Sequence, residues 1–145
     1  MRLEGIELRR IRMPLVAPFR TSFGTESDRD ILLVRAVTDE AEGWGECVAM
    51  ADPRYSSEYA EAAADVMVRF LIAALPRERL DAYAVGPALA QFKGHRMAKA
   101  ALETAILDAE LRAQQRPLAR ELGAVRDRVR HPLEQVPQVP GQHWG

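Results

Sequence analysis

Polar and apolar positions alternate at the start of the chain. Ile6 and Leu8 keep one phase, and Ile11 and Met13 keep the other. Period two predicts a β-strand over Leu3 to Met13, and the one-residue slip predicts a bulge inside it. Pro14 and Pro18 fix φ and remove two backbone donors, so no continuous strand is expected through them. Pro18 to Thr25 therefore reads as a loop in which Gly24 lets the chain turn back. The run Ile31-Leu32-Leu33-Val34-Arg35-Ala36-Val37 is aliphatic on both faces at first, which suits a central strand. Asp39 to Gly43 supplies a polar turn, and Trp44 to Val48 resumes the extended pattern as the second arm of an antiparallel hairpin.

The period then lengthens. A second irregular stretch, Met50 to Tyr55, leads to Ser56-Ser57-Glu58, where a serine cap and the carboxylates of Glu58 and Glu61 suit a helix N-terminus. Tyr59, Ala63, Val66, Met67, Phe70, Leu71 and Ala74 recur at three- and four-residue steps and predict one core-facing stripe ending before Pro76. Gly86-Pro87 interrupts the weaker pattern of Leu80 to Phe92, which predicts two short helices with a break between them. His95 to Gln115 predicts the longest helix, with Ala98, Ala101, Leu102, Ala105, Ile106 and Ala109 on one side; alanines let a helix lie close to its neighbour. Pro117 breaks it, Leu118 to Leu122 adds a short helix, and Gly123 is a natural stop. From Arg130 three prolines and no period predict a disordered or polyproline tail. The expected fold is α+β, a three-stranded antiparallel meander packed against a helical bundle.

Composition narrows the function. A chain of 145 residues with a formal charge of −1 has no field to gather phosphates or anionic lipid, so neither nucleic acid nor membrane is an expected partner. Its apolar runs are far shorter than a bilayer span, and the chain is placed in the cytoplasm. Cys47 is the single cysteine, which rules out an intrachain disulfide framework, and buried in a strand it would be inert. His131, His143 and Trp144 sit in the tail without a frame that could hold a metal.

Candidate chemistry gathers in the two irregular stretches. Phe19, Arg20, Thr21, Ser22, Phe23 and Gly24 place two aromatics, a guanidinium and two hydroxyls in one expected loop. Two readings stand for Phe19 and Phe23: plugs on a local core, or walls of an apolar pocket.

The motifs in order are Pro-Phe-Arg-Thr-Ser-Phe-Gly-Thr, Gly-Trp-Gly-Glu-Cys, Pro-Arg-Tyr-Ser-Ser-Glu and Gly-His-Arg-Met-Ala-Lys-Ala-Ala-Leu-Glu. Together they resemble the N-terminal capping domain of the enolase superfamily, in the branch of N-acylamino acid racemases and o-succinylbenzoate synthases, over residues 1–129. The resemblance implies a cap over the mouth of a (β/α) barrel. In that family the barrel carries paired lysines for proton transfer and acidic residues that hold a divalent metal such as magnesium. It also implies that Phe19, Arg20, Thr21, Ser22, Phe23 and Gly24, with Met50 and Tyr55, bind an N-acylamino acid or succinylbenzoate-type molecule. Pocket walls are then favoured over core plugs. No catalytic residue and no cofactor is carried onto this chain: Lys93 and Lys99 lie around a helix start, and Asp108 and Glu110 read as a solvated face or a packing contact. The change of pattern at Arg130 leads to the expectation of a truncated or frameshifted gene whose barrel is missing or separately encoded, with residues 130–145 as its altered tail. The cap alone is not expected to catalyse. The alternative is a non-catalytic interaction module that uses the exposed cap surface.

Overall fold

The N-terminal alternation becomes a hairpin much longer than its pattern predicts. The computed structural model describes residues 1–22, 24–126 and 128. In it β1 runs Leu3–Thr21 and β2 runs Gly24–Thr38, and both pair antiparallel, with β3 (Glu42–Cys47) on the far side of β2. The expected interruption at Pro14 and Pro18 is corrected, because the strand resumes after them. β1 is an edge strand and needs partners on one side only, which is where proline is tolerated. Pairing is continuous from Gly5↔Val37 to Pro14↔Asp28 and resumes at Phe19↔Glu26, so Leu15 to Pro18 bulge opposite Ser27. The bulge expected between Leu8 and Ile11 is likewise absent. Ile6 and Leu8 lean on the core, whereas Ile11 and Met13 take the other face and are exposed.

Leu32, Val34, Ala36 and Thr38 bury one face of β2, and Thr38 Oγ1 closes the turn to β3 by accepting from Ala41 N at 3.0 Å. Opposite them on the same sheet face stand Cys47, Gly45 and Gly43 of β3. Onto this face packs α4 (Arg96–Ala113), whose Ala98, Ala101, Leu102, Ala105, Ile106 and Ala109 are all fully buried, as the alanine spacing predicts. A side chain at Gly43 would overlap the α4 backbone at Ala105 and Ala109, and one at Gly45 would overlap Ala101 and Ala105. The helix therefore rests on sheet backbone. Trp44 N donates to Asp108 Oδ2 at 2.9 Å, which satisfies the outer edge of β3 and fixes the helix along it.

The stripe after Tyr59 forms α1 (Ala60–Val66), a wider π turn over Met67–Leu71 and α2 (Ile72–Ala74). Ala63, Val66, Met67 and Leu71 are buried, but Phe70, expected in the core, is 45% exposed and meets Phe92 at a ring distance of 6.4 Å. The break expected at Gly86-Pro87 is also corrected: α3 (Ala82–Leu89) runs through it, capped by Asp81, whose Oδ1 accepts from Ala84 N at 2.8 Å. α5 (Leu118–Glu121) closes the described chain, and the tail expected from residue 130 lies outside the described residues.

On the sheet's open face Arg35 bonds Glu7 at 2.9 Å and also pairs with Glu42, while Arg9 and Arg35 lie 5.4 and 5.9 Å from the Trp44 ring. Hydrogen bonds from Arg9 and then Arg35 pull Glu7 down to about 2.

Gly43→Ala or Gly45→Ala should cost about 3 kcal/mol or more, because the added methyl meets backbone that cannot move aside. Gly86→Ala, with open space around it except for the ring of Pro87, should change stability by less than about 1 kcal/mol, because the gain in helix propensity is offset by a side chain set before proline in helical backbone. Urea melts of the three variants check this contrast. Glu7, held below its ordinary 4.5, contributes stability that is fully present above that pH and is lost as pH falls toward 2. Glu7→Gln should thus flatten the acid limb of the stability curve over that interval, with a smaller effect in roughly 0.5 M salt, where exposed pairs are screened.

Candidate functional site

Beyond the six residues of β3 the hairpin is a two-stranded ribbon, which by itself is marginally stable. Its inner face is held by ion pairs in place of apolar side chains. Arg10 Nε bonds Asp30 Oδ1 at 2.9 Å, and Arg12 bonds Asp28 at 2.8 Å. The arginine hydrogen bond lowers the Asp30 carboxyl below its usual range. Met50, Ala51 and Asp52 border the same strip of ribbon at Glu26, Asp28, Arg29 and Asp30.

At the tip, Thr21 pairs with Gly24, and Thr21 Oγ1 reaches Gly24 O at 3.2 Å. Gly24 has φ +143°, a conformation that side chains rarely adopt, so the reversal requires glycine here. Between this tip and the Met50–Tyr55 segment lies an open cleft of about 260 Å³, lined by Thr21, Gly24, Thr25, Glu26, Met50, Asp52, Arg54 and Tyr55.

Four residues singled out from sequence, Thr21, Gly24, Met50 and Tyr55, thus meet in one place. Phe19 does not line the cleft and is 57% exposed, but it pairs with Glu26 and so shares a ribbon face with a lining residue. Arg20 pairs with Thr25 and is exposed, and Ser22 is exposed in the turn. Phe23 lies outside the described residues. Sequence reasoning missed Thr25, Glu26, Asp52 and Arg54. The first two follow once the tip is read as a paired hairpin, and Asp52 and Arg54 pair with each other at 3.0 Å. The cleft is consequently more polar than the expected apolar pocket, with Met50 and Tyr55 as its large apolar groups.

The second wall is a loop closed at its base. Met50 O accepts from Ala60 N at 2.8 Å, and Met50 bridges to Tyr59. Glu58, expected to serve the start of α1, instead turns to α4: its carboxylate accepts from Arg96 N at 2.6 Å, Met97 N at 2.9 Å and Ala98 N at 3.4 Å. The N-cap of α1 is Tyr59, without a side-chain cap.

Asp108 and Glu110 are packing contacts, the latter accepting from Ala82 N at 2.9 Å, and Lys99 Nζ donates to Phe92 O at 2.6 Å. Among the described residues no three His, Cys, Asp or Glu side chains come together to hold a metal ion. No helix among them is long and apolar enough to cross a membrane.

The sequence pattern of the family described as "Mandelate racemase / muconate lactonizing enzyme, N-terminal domain" matches residues 5–123. The chain is 64% identical over 130 residues to an N-succinylamino acid racemase of Amycolatopsis sp., covering 89% of this chain and 35% of that protein. It is 36% identical over 129 residues to o-succinylbenzoate synthase of Bacillus subtilis, covering 88% and 35%. The crystal structure of an unknown member of the enolase superfamily from Enterococcus faecalis matches with a TM-score of 0.78 at 34% identity, over 87% of this chain and 35% of that one. The chain thus spans 35% of the length of these relatives.

Cys47 faces the core beneath α4, 1% exposed, and burial pushes its thiol pKa up. A thiol reagent at about pH 8 should leave it unmodified until denaturant is added, as mass spectrometry would show; rapid labelling of the native chain would contradict this burial.

Proposed function

The chain belongs to the mandelate racemase and muconate lactonizing enzyme N-terminal domain family, and we propose that it is the substrate-selecting cap of an N-succinylamino acid racemase or o-succinylbenzoate synthase-like protein. The observation that carries this reading is the cleft between the hairpin tip and the Met50–Tyr55 wall. Binding pockets for small molecules run from about 300 to 1,000 Å³ and bury most of the ligand. An open cleft of about 260 Å³ is one side of such a pocket. A barrel mouth set against it would complete the enclosure.

Within that pocket Met50 and Tyr55 offer apolar contact to an acyl or aryl substituent, and Phe19 adds to it from beside the cleft on the ribbon face of Glu26, with Phe23 four residues after it in sequence. Arg20, Thr21 and Ser22 offer donors to a carboxylate or amide, and Gly24 lets backbone approach. The reaction of the full-length class removes an α-proton from a carboxylate, and a divalent metal supplies the positive charge that stabilises the second negative charge as it develops. That work falls to barrel residues. The cap excludes water and chooses the substituent, and it does not turn over substrate alone. A second reading, an interaction module, is favoured by the exposed apolar side chains of Ile11, Met13, Val16 and Phe19 along β1. Self-association or capture of a protein partner through that strand, with no effect on any barrel, would support it.

Residues 1–123 joined to the remainder of the Amycolatopsis racemase test the first reading. The chimera should racemise an N-succinylamino acid, followed by polarimetry. Tyr55→Ala or Met50→Ala should raise KM on the order of tenfold with a smaller change in kcat, since each removes an apolar contact of about 1–2 kcal/mol. A folded chimera without activity, or loop variants that leave KM unchanged for every acyl group, would refute it.

A further inference from the structure

We propose that Glu58 is a positioning residue that fixes the Met50–Tyr55 wall of the cleft and thereby sets the discrimination among acyl groups, the second part of which rests on the cap reading above. Glu58 is absent from the residues that line the cleft, so any effect on ligand choice is indirect. Its backbone sits three residues beyond Tyr55 and is locked locally by Ser56: Ser56 Oγ accepts from Glu58 N at 3.1 Å and donates to Glu58 O at 3.0 Å. Its side chain then spans to α4, where the amides of Arg96, Met97 and Ala98 donate to the carboxylate.

The identity of the capping group argues for more than helix capping. The N-cap of α4 is His95, in a left-handed conformation at φ 52°, with no side-chain cap, and the first turn holds no acidic residue. A serine or aspartate near that position could satisfy these amides locally. This chain takes the carboxylate from 38 residues upstream, just beyond the wall of the cleft. A charged acceptor at a helix N-terminus is also favoured by the helix dipole, which makes this contact a strong tie for an otherwise irregular segment. α4 is in turn seated on Gly43 and Gly45 of the sheet whose long hairpin ends in the tip. At the Tyr55 end of the wall, the spacing to the tip therefore runs through Glu58, α4, β3 and β2, while its Met50 end is tied through Ala60 and the short link from Cys47.

Hydrogen exchange on the 145-residue chain and on Glu58→Ala and Glu58→Gln tests the tie. In Glu58→Ala the amides of residues 96–98 and of the wall, 50–57, should exchange on the order of tenfold faster, with those of β2 unchanged. Glu58→Gln, which keeps one acceptor oxygen, should fall between and guards against a variant that fails to fold. Faster exchange confined to 96–98 would make Glu58 a helix cap only and would overturn the proposal. In the chimera, Glu58→Ala should change the ratio of kcat/KM for N-succinyl over N-acetyl substrates by about threefold or more through KM, with partial rescue by Glu58→Gln. An equal fall in kcat on both substrates at unchanged ratio would overturn the positioning role. If the unsubstituted chimera racemises nothing, the cap reading fails, and the exchange of the wall still decides whether Glu58 fixes it.

Discussion

A helix laid on the bare backbone of two glycines is the constraint from which the rest follows. Because Gly43 and Gly45 carry no side chain, α4 comes close enough for Asp108 to take the Trp44 amide, and no bulkier residue fits without lifting the helix off the sheet. The alanines of α4 are the other half of the same fit. Volume is supplied to either side of this seam by Leu32, Met67, Leu71, Leu102 and Ile106, each worth about 1.5–3 kcal/mol when buried. With α4 fixed, its N-terminus becomes a rigid anchor for Glu58, and its Glu110 holds the start of α3.

The two walls of the cleft are consequently unlike in origin. One is a paired ribbon projecting past the helices, stiffened by Arg10–Asp30 and Arg12–Asp28. The other is irregular backbone, closed at its base and fastened to a helix by one carboxylate. Such an arrangement permits the sequence at the tip and in the loop to vary while their separation stays with residues that line neither. Exposed cross-strand ion pairs add little stability individually, so the ribbon owes its course mainly to β1–β2 backbone pairing on either side of the bulge.

Legibility in the sequence followed the range of the interaction. The α4 face and the Ala63–Leu71 stripe were readable because helical period is a local signal, and the β2–β3 turn because Thr38 to Ala41 closes on itself. The ribbon was not, since proline argues against a strand only when both sides need partners, and edge position is a property of the sheet. Glu58 was misassigned for a related reason: it stands at a plausible α1 start, and its partners are 38 to 40 residues away. Within the cleft, Thr21 and Gly24 stood out in an irregular stretch and Met50 and Tyr55 through a family resemblance, whereas Glu26 and Asp52 required the register of the hairpin and the fold of the second wall. The glycine pair did carry a readable signal. Two glycines at strand spacing opposite alanines at helical spacing mark backbone contact, and the pattern Gly-Trp-Gly met by Ala101, Ala105 and Ala109 is one such case.

The bulge at Leu15–Pro18 has a bearing on how copies of this chain behave in a crowded solution. A 19-residue edge strand with straight, unpaired amides would be a template for strands from other molecules, the first step toward aggregation. Two prolines without amides and a local bend in β1 cut that template into shorter lengths, and the arginines at 9, 10 and 12 set charge beside the longer of them. The irregularity that makes the strand hard to read thus also shortens the edge it offers to a neighbour.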